Sequence, residues 1–532
     1  MVKIKKSPFL KRRFILFAYF CIRFKKNQKI MQKKQTIPFL SSLLFLSFIT
    51  IDMLAGGFLT NTNQSAQFVR NPSRDAIIGI DGVFSNPAGV AFMSNGAHLG
   101  ISLQSVHQKR TIDSKFAAFA TEQNHLGKDT RHFDGKASAP LVPSVQFVYN
   151  KDKWSFSGSF ALVGGGGKAE FPHGLGSFEA AASMLPVLGK DLGIKHYSVN
   201  SFMRGRQYYY GAQVGAARKF TDNLSLFVGG RIIYATANYY GYLRNISVGL
   251  ADGSQHLASD YFYGLHDKMV AAGMTEQAKQ MASLAAATED INLNCDQTGW
   301  GFTPVVGIDW NINKHWNIAA KYEFRTDIRL KNEAANSLSA NNLAQLAQFK
   351  DGEKVSDDMP ALLTLGVQYK PIDKLRLTAG YHYYFDKQSS KHQHTEKLLR
   401  RGTYEILAGA EYDFNKTLTA SFGWQTTSYG LTDDYMKDIS FTTSSQSIGL
   451  GVAIHLNKKC TLDLGYFHTF YKSYDKEQND YNNVSSLARM VIGNEQVDQI
   501  LRSDVPGVNI FKGSDHFKRT NFDVAVGVTL DI

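Results

Sequence analysis

Asn521-Phe-Asp-Val-Ala-Val-Gly-Val-Thr-Leu-Asp-Ile532 alternates strictly between two kinds of side chain. One residue in two is apolar, and the residues between are small or polar. A period of two puts the two sets on opposite faces of a β-strand. The apolar set is Phe522, Val524, Val526, Val528, Leu530 and Ile532. This segment predicts a strand with one fully apolar face.

The same alternation recurs after residue 96 and predicts fourteen strands. Their residues are 97–107, 141–150, 153–163, 207–220, 223–248, 298–312, 314–330, 359–371, 373–386, 403–414, 416–428, 442–457, 459–472 and 516–532. Short turns, such as Lys151-Asp152 and Asn415-Lys416, alternate with long loops. An even strand count with this rhythm is typical of a transmembrane β-barrel. In lipid the sheet must close, because an open edge leaves backbone groups unpaired.

The composition agrees with an all-β chain. The 532 residues include 45 Gly, 36 Phe and 25 Tyr but only 12 Pro. Such a mixture excludes collagen and a disordered chain. A helical membrane protein is also excluded, because only one apolar run, near the N-terminus, approaches spanning length. A water-soluble β-repeat would alternate too, but it would not need long loops interleaved with short turns.

The formal net charge of +13 is concentrated at the front of the chain. Residues 1–55 contain twelve Lys or Arg and a single acidic residue, Asp52. The remaining residues carry a net charge of roughly +2. The basic balance therefore gives no support for a nucleic-acid partner.

Residues 31–55 have the pattern of a secretory signal peptide. A short basic start, Met31 to Gln35, precedes an apolar run from Ile37 to Ile51, and Ala55 offers a small residue for cleavage. An uncleaved anchor is the alternative. Because a signal that begins at Met31 is complete, we interpret residues 1–30 as a gene-model extension.

Residues 56–96 are predicted to form a plug inside the barrel of residues 97–532. They are too long for a leader and carry apolar residues of their own, such as Phe68-Val69 and Ile77-Ile78. A barrel of this width would otherwise enclose an aqueous channel. The predicted fold is thus a fourteen-stranded antiparallel barrel with an N-terminal plug, or hatch, in its lumen.

Several segments resemble one known family. Asn86-Pro87-Ala88-Gly89 is similar to a plug motif just ahead of strand 1, and Gly57-Phe58 to the start of the mature family chain. Gly301-Phe302 to Asp309-Trp310 and Trp316 to Arg325 resemble its central hairpin. The family is that of the FadL-type (OmpP1/FadL/TodX) outer-membrane transporters of long-chain fatty acids and other hydrophobic compounds.

The resemblance implies a monomeric transporter in the outer membrane of a Gram-negative bacterium, with no enzymatic activity, cofactor or metal. A hydrophobic ligand would be captured among the outer loops and passed to an inner pocket near Phe58 and Leu59. It would then leave sideways into membrane lipid at a kink in strand 3. Strand 3 runs into Gly164-Gly165-Gly166-Gly167, and four glycines permit a bend or bulge. The alternative is that these glycines are only a flexible start to an outer loop.

Two sets of residues are candidates for ligand contact. Apolar residues at helical spacing in two long loops suggest capture sites: Val270, Met274 and Met281 in one, Leu343 and Leu346 in the other. These stripes could equally pack the loops together. Alternation predicts four basic residues on the inward face, where they could meet a carboxylate, or instead pair with lumen acids. They are Arg231, Lys321, Arg325 and Arg376.

Other functions remain open at this point. His392 and His394, two residues apart, could hold haem iron, although a solvated loop explains them as well. An aromatic-hydrocarbon channel, a general porin and a structural surface protein are further alternatives. For a barrel enzyme we find no supporting set of residues near His468 and Ser473.

Overall fold

The computed structural model describes residues 65–334, 349–503 and 507–532, and the fold is the predicted antiparallel barrel. Fourteen strands form the wall. They are β1 Gly96–Phe116, β2 Thr130–Lys151, β3 Trp154–Phe171, β4 Ile194–Lys219, β5 Leu224–Leu250, β6 Ile291–Asn311, β7 Trp316–Glu323, β8 Leu362–Ile372, β9 Leu375–Tyr384, β10 Tyr404–Asp413, β11 Leu418–Ser428, β12 Ser445–Asn457, β13 Cys460–Tyr471 and β14 Gly513–Asp531. The predicted signal peptide and the first residues of the predicted plug lie outside the described residues.

The barrel closes by pairing of its first and last strands. β1 and β14 pair from His98 and Asp531 to Phe116 and Gly513. Each of the other wall strands pairs with its chain neighbours in the wall. Closure provides hydrogen-bond partners for strand edges that lipid could not satisfy. We call the end with short connections the turn end and the opposite end the loop end.

Each predicted strand corresponds to one strand of the wall, but several are much longer than predicted. β8 to β11 have 10 or 11 residues, which is about the length needed to cross a membrane. β4 and β5 have 26 and 27 residues and extend well beyond that at the loop end. The outer parts of β1 and β2 were predicted to be loop because their outward face is charged. Lys109 and Asp134, for example, form an ion pair of 3.1 Å across these two strands.

The described N-terminal segment and the long loops contain the α-helices. These are α1 Ala66–Arg70 and α2 Gly82–Ser85 in the N-terminal segment, then α3 Gly176–Leu188, α4 Ala258–Ala271, α5 Thr275–Ala287, α6 Ser485–Ile492 and α7 Asn494–Leu501. Four short strands, Gln255–Leu257, Arg329–Ala334, Lys354–Ser356 and Tyr474–Gln478, extend the sheet at the loop end. Within the described ranges, no helix has the length and apolar character to cross a membrane.

The outward face of the wall carries large exposed apolar side chains. Aromatic residues are prominent among them, including Trp154, Trp300, Phe302, Trp310, Trp316, Phe414 and Phe470. In water such a surface would be unfavourable, whereas it matches the apolar band and aromatic girdles of a barrel in lipid.

Residues 65–95, which we call the plug segment, lie along the inner wall. Helix α1 packs against β12, β13 and β14. The segment then passes β9, where Asp75 meets His382 at 2.9 Å, and continues to β6, where Asn86 donates to Asp309 at 2.5 Å. The segment thus contacts strands on several sides of the barrel before it leads into β1.

A series of wall glycines brings the plug backbone against the wall backbone. A Cβ atom added to Gly366 would lie 2.5 Å from the Cβ atom of Asp75 and 2.7 Å from the backbone nitrogen of Ala76. At Gly465 it would lie 3.0 Å from the backbone nitrogen of Arg70. Similar overlaps with plug atoms occur at Gly380, Gly409, Gly423, Gly449, Gly451 and Gly527. We call these eight residues the glycine belt; a side chain here would displace the plug segment.

We therefore expect Gly366→Val to loosen the plug. The added side chain meets backbone atoms of Asp75 and Ala76, which cannot rotate away. The variant should show a lower melting temperature and a larger ion conductance in planar bilayers. Gly158→Val is the matched control. Gly158 lies on the lipid-facing side of β3, and a Cβ atom added there would be 3.5 Å from its nearest neighbour, which is an ordinary contact. Equal behaviour of the two variants would contradict the proposed role of the belt.

Candidate functional site

Buried ion pairs hold the plug segment to the turn half of the wall. Arg70 lies 2.7 Å from Glu411 on β10 and 3.0 Å from Asp463 on β13. Arg74 lies 2.9 Å from the same Glu411 and 2.6 Å from Asp81 of the plug segment. All five side chains are at most 7% exposed, so their charges compensate one another largely without water.

Arg376, a predicted ligand contact, belongs to this same network. Its guanidinium donates two hydrogen bonds of 2.6 Å to Asp413 and one of 3.2 Å to Glu411. The alternation correctly predicts its inward direction. The Arg376 guanidinium is already bound to the wall carboxylates of Asp413 and Glu411. Pairing with lumen acids is the alternative that the sequence left open.

A second network surrounds Phe84 of the plug segment. Arg231 on β5 and Lys321 on β7 each lie 2.7 Å from Glu323. Lys321 also donates to the backbone oxygen of Phe84 at 2.8 Å, and both cations lie over the Phe84 ring, within 4.9 Å of its centroid. Both predicted inward residues are therefore buried and paired with a wall carboxylate.

Arg325 does not follow the alternation that predicted an inward direction. β7 ends at Glu323, so the strand periodicity does not extend to residue 325. The side chain is 45% exposed, 3.7 Å from Asp358, and donates to the backbone oxygen of Gln388 at 3.0 Å. The prediction of an inward-facing strand residue was wrong here because the strand is shorter than the sequence indicated.

The plug motif forms a tight turn bound to the wall. Asn86 donates to Asp309 on β6 at 2.5 Å and accepts a hydrogen bond from the backbone nitrogen of Gly89 at 3.1 Å. Pro87 lies inside this turn, and the backbone oxygen of Ala88 accepts from Ser225 on β5 at 2.6 Å. The three residues thus position the end of the plug segment just before β1.

The wall is interrupted between β2 and β3. The two strands pair up to Ser138 and Lys168 and resume at Ser144 and Ala161, so 139–143 and 162–167 lie between without pairing to each other. This is the longest interruption of any ladder among the described strands. We call these two stretches the seam.

Both sides of the seam carry residues that weaken pairing. Gly165 and Gly167, with φ of +95° and +69°, form a bulge in β3 against β4. On the other side, Pro140 and Pro143 have no backbone N–H to donate. The predicted glycine run thus lies at the seam, whereas the contribution of the two prolines was missed, although an X-Pro-X-X-Pro segment in a strand is a recognisable signal.

An apolar group faces the lumen beside the seam. Val163, Tyr209 and Ile233 come from three adjacent strands and are at most 2% exposed. They pack with Ala235, Ile328, Leu330, Met359 and, on the plug side, Phe84. The added Cβ of Gly164 would lie 2.8 Å from the Tyr209 ring, which connects this group directly to the bulge. Sequence reasoning missed these residues because it searched the lumen only for charges.

The outer loops pack into one large apolar cluster. Residues from six long loops contribute, among them Phe119, Phe178, Met281, Phe349, Phe441 and Tyr481. Inside it Glu179 accepts hydrogen bonds from Tyr197 at 2.6 Å and from Arg131 at 3.2 Å. Burial raises the pKa of the Glu179 carboxyl, opposed by the charge of Arg131.

The predicted capture residues are divided between two environments. Gly273, with φ of +75°, separates α4 from α5, so the predicted stripe is not one continuous helix. Val270 and Met274 beside this turn are 56% and 43% exposed, whereas Met281 is buried in the loop cluster. Met281 therefore has the packing role that the sequence left open as an alternative. Leu343, Leu346, Phe58 and Leu59 lie outside the described residues.

In the described residues, His392 and His394, the two histidines of the haem alternative, are not part of a group of side chains that could hold a metal ion. His394 is 69% exposed and 3.3 Å from Glu396, and His392 is half-buried. In the part of the chain that the structure describes, no group of three His, Cys, Asp or Glu side chains could hold a metal ion.

A cavity of about 860 Å³ lies between the plug segment and the turn end. Its lining contains charges of both signs, including Arg70, Lys370, Arg376, Asp413 and Asp463. A second cavity, of about 40 Å³, lies at the seam. The large space is thus lined partly by charges, and the small one lies where β2 and β3 are unpaired.

A closed barrel with an apolar outer band and a lumen crossed by its own N-terminal segment defines a plugged outer-membrane barrel. The family model of the outer membrane protein transport proteins (OMPP1/FadL/TodX) matches residues 210–501, more than half of the chain. The chain belongs to this family, whose members are transport proteins of the Gram-negative outer membrane and not enzymes.

Relatives agree with this assignment. Outer membrane protein P1 of Haemophilus influenzae is 23% identical over an alignment of 264 residues that covers 40% of this chain and 54% of that protein. The matched region thus spans about half the length of this curated relative. A Pseudomonas aeruginosa FadL homologue has the same fold, with a TM-score of 0.59 at 13% identity, covering 90% of this chain and all of that one. The P. putida toluene transporter TodX also has this fold. Its TM-score is 0.52 at 12% identity, and the match covers 89% of this chain and 99% of that one.

The plug network makes a stability prediction. Glu411→Gln leaves Arg70, Arg74 and Arg376 short of a buried negative charge, which should lower the free energy of unfolding by about 3–5 kcal/mol. The measurement is urea unfolding of the protein in lipid vesicles. Glu353→Gln is the control, since Glu353 is 54% exposed and 3.8 Å from Lys350; it should cost at most about 1 kcal/mol. A similar loss in both variants would argue against the network.

Proposed function

We propose that the protein carries hydrophobic molecules passively across the outer membrane, and that long-chain fatty acids are its main substrates. The ligand is captured at the outer loops, passes into the lumen beside the plug and leaves sideways into the membrane through the seam. The protein works as a monomer without a cofactor. The single observation that carries this proposal is the interruption between β2 and β3.

Unpaired backbone groups at the seam carry a free-energy cost in lipid. Backbone groups that face lipid without a partner cost several kcal/mol each, so a barrel wall is normally paired throughout. Here Leu141 within the interruption and Phe160 just before it are 63% and 49% exposed on the lipid side. These exposed apolar side chains support a position of the interruption at membrane depth, where a departing ligand would enter hydrocarbon directly.

The lumen supports a sideways route over a straight one. On the lumen side, the apolar group of Val163, Tyr209 and Ile233 lies beside the seam, where it would meet an apolar molecule that comes from the loop cluster. The turn end instead presents the ion pairs of Arg70 and Arg74 and a charged cavity. Desolvating those charges against a hydrocarbon tail would be unfavourable. An exit through the seam would thus avoid the ion pairs at the turn end and leave the plug in its place.

Strand register suggests a way to close the seam. Between Leu162 and Gly167, β3 has two residues more than the facing part of β4, and between Ala139 and Val142, β2 has one more than β1. Deleting Gly165, Gly166 and Pro140 removes these excess residues and also equalises the two sides of the seam.

We expect the triple deletion to fold and to lose uptake of radiolabelled oleate by whole cells at least about tenfold, because continuous pairing blocks the exit. Pro140→Ala, which leaves the residue count unchanged, is the control and should retain most uptake. The amount of folded barrel in each strain is compared by the heat-modifiable electrophoretic mobility of the extracted protein. Full uptake by a well-folded triple deletion would refute lateral release.

Ligand retention separates a transporter from a porin. Protein extracted from outer membranes and exchanged through fresh detergent should retain a fatty acid detectable by mass spectrometry, and it should conduct few ions. A retained aromatic hydrocarbon would move the substrate class toward that named for TodX. An empty protein with a large steady conductance would instead identify a general porin.

A further inference from the structure

Basic side chains cover the outer surface of four adjacent wall strands, just beyond the loop-side end of the seam. They are Lys109 on β1, Lys136 on β2, Lys168 on β3, and Arg204 and Arg206 on β4. The strand period of two puts all five on the face opposite the buried residues, so they point away from the lumen. We call these five residues the basic patch.

The strand register places like charges of the patch directly opposite each other. Lys109 is the partner of Lys136 between β1 and β2, and Lys168 is the partner of Arg206 between β3 and β4. Directly opposite residues of an antiparallel pair have Cβ atoms about 5 Å apart, and like charges in such positions destabilise the pair. A negatively charged group beside the two pairs would remove this repulsion.

Acidic side chains of the wall balance only part of the charge of the patch. Asp134 and Glu170 each contact one of its lysines, at 3.1 and 2.8 Å. Asp296 on β6 also points outward, but it is two strands away from Arg206, which is about 10 Å. Five cations beside two acids leave a net positive surface. The existing ion pairs are exposed to solvent, so an incoming anion can exchange with them at little cost in free energy.

The basic patch lies at the border between the apolar band and water. Arg206 is followed on the same face of β4 by Tyr208 and Tyr210, and the exposed Leu141 lies five residues from Lys136 on β2. Aromatic rings mark the interface levels of a membrane barrel, where lipid headgroups lie. The patch therefore faces the headgroups of the outer leaflet.

We propose that the basic patch binds the phosphorylated headgroup of an outer-leaflet lipid. Phosphate supplies the negative charge that both like-charge pairs need, and its oxygens accept from arginine forks and lysine ammonium groups alike. A free anion would make the same polar contacts, but a lipid also places its chains against the apolar band. Lys168 and its partner Ser138 form the last strand pair before the seam. The chains of a lipid held there would cover the outer side of the seam.

This inference goes beyond the proposed transport function and does not depend on it. The patch faces away from the lumen, so it can hold a membrane lipid whether or not the barrel carries a ligand. The lipid is a neighbour of the protein in the membrane and is not its substrate.

The test compares dioleoyl phosphatidic acid with dioleoylglycerol, which has the same chains but no phosphate. The protein is purified in an uncharged detergent, freed of bound lipid and titrated with each lipid, and native mass spectrometry measures the bound fraction. Wild type should bind phosphatidic acid at least about tenfold more tightly at low salt, as expected for charge-assisted contacts. The preference should fall as salt rises, because exposed charges are screened.

The double variant Lys136→Gln/Arg206→Gln removes one member of each like-charge pair. It should weaken binding of phosphatidic acid at least about fivefold and leave binding of dioleoylglycerol unchanged. Lys268→Gln/Lys279→Gln is the matched control, since it removes the same net charge from exposed positions on α4 and α5 and should change neither. Lys136→Arg/Arg206→Lys keeps both charges and should retain most of the binding.

Three outcomes would overturn the inference. The first is equal binding of the two lipids by wild type. The second is an equal loss in the two glutamine double variants, which would show attraction by net charge alone. The third is protection from thermal unfolding by inorganic phosphate as strong as that by phosphatidic acid, which would identify a site for free anions. All three leave the transport proposal standing, because oleate uptake by the triple deletion tests it separately.

Stability of the lipid-free protein provides a second readout. Lys136→Gln removes a repulsion between β1 and β2 and should leave the melting temperature in detergent unchanged or higher. The same change should reduce the rise in melting temperature that phosphatidic acid produces. A lower melting temperature without lipid, together with an unchanged response to phosphatidic acid, would show a purely structural role and contradict the proposal.

Discussion

Backbone pairing is the constraint on which the rest of this structure depends. Lipid supplies no hydrogen-bond partner, so the wall must close, and it does so between β1 and β14. Fourteen strands enclose a lumen too wide for the wall's own side chains to fill, and the plug segment occupies it. Against this background the seam stands out, because it is the longest interruption of pairing among the described strands.

The plug segment is attached in two physically different ways. Along β8 to β14 the glycine belt allows backbone to lie against backbone, which leaves little room for movement. Elsewhere attachment depends on charge: Arg70 and Arg74 meet Glu411, and Phe84 lies beneath Arg231 and Lys321. Close packing resists displacement at short range, and paired charges resist separation because each would be left buried alone. The lumen therefore contains an N-terminal segment that both close packing and charge hold in place.

Period-two alternation was sufficient to predict the strand count and the barrel, because one face must be apolar throughout the membrane. The alternation fails to predict strands beyond the membrane, where no face of a strand has to be apolar. The outer parts of β1 and β2 are charged on their outward face, so period-two alternation of apolar residues predicts a loop there instead of strands. Alternation also predicted that Arg231, Lys321 and Arg376 point inward, but a sequence does not reveal which acid each one meets across the lumen. The stripe through Val270 and Met281 was misread because Gly273 breaks the helix between them.

The ion pairs of the plug also have a consequence for the order of assembly. Arg70 is joined to Glu411 and Asp463, partners that lie 341 and 393 positions further along the chain. Contacts between such distant residues form late, since a long loop must close before they contribute any stability. The earliest described part of the chain is therefore among the last to become fixed. During folding the N-terminal segment therefore has to stay close to the forming barrel until β10 and β13 are in place to bind it.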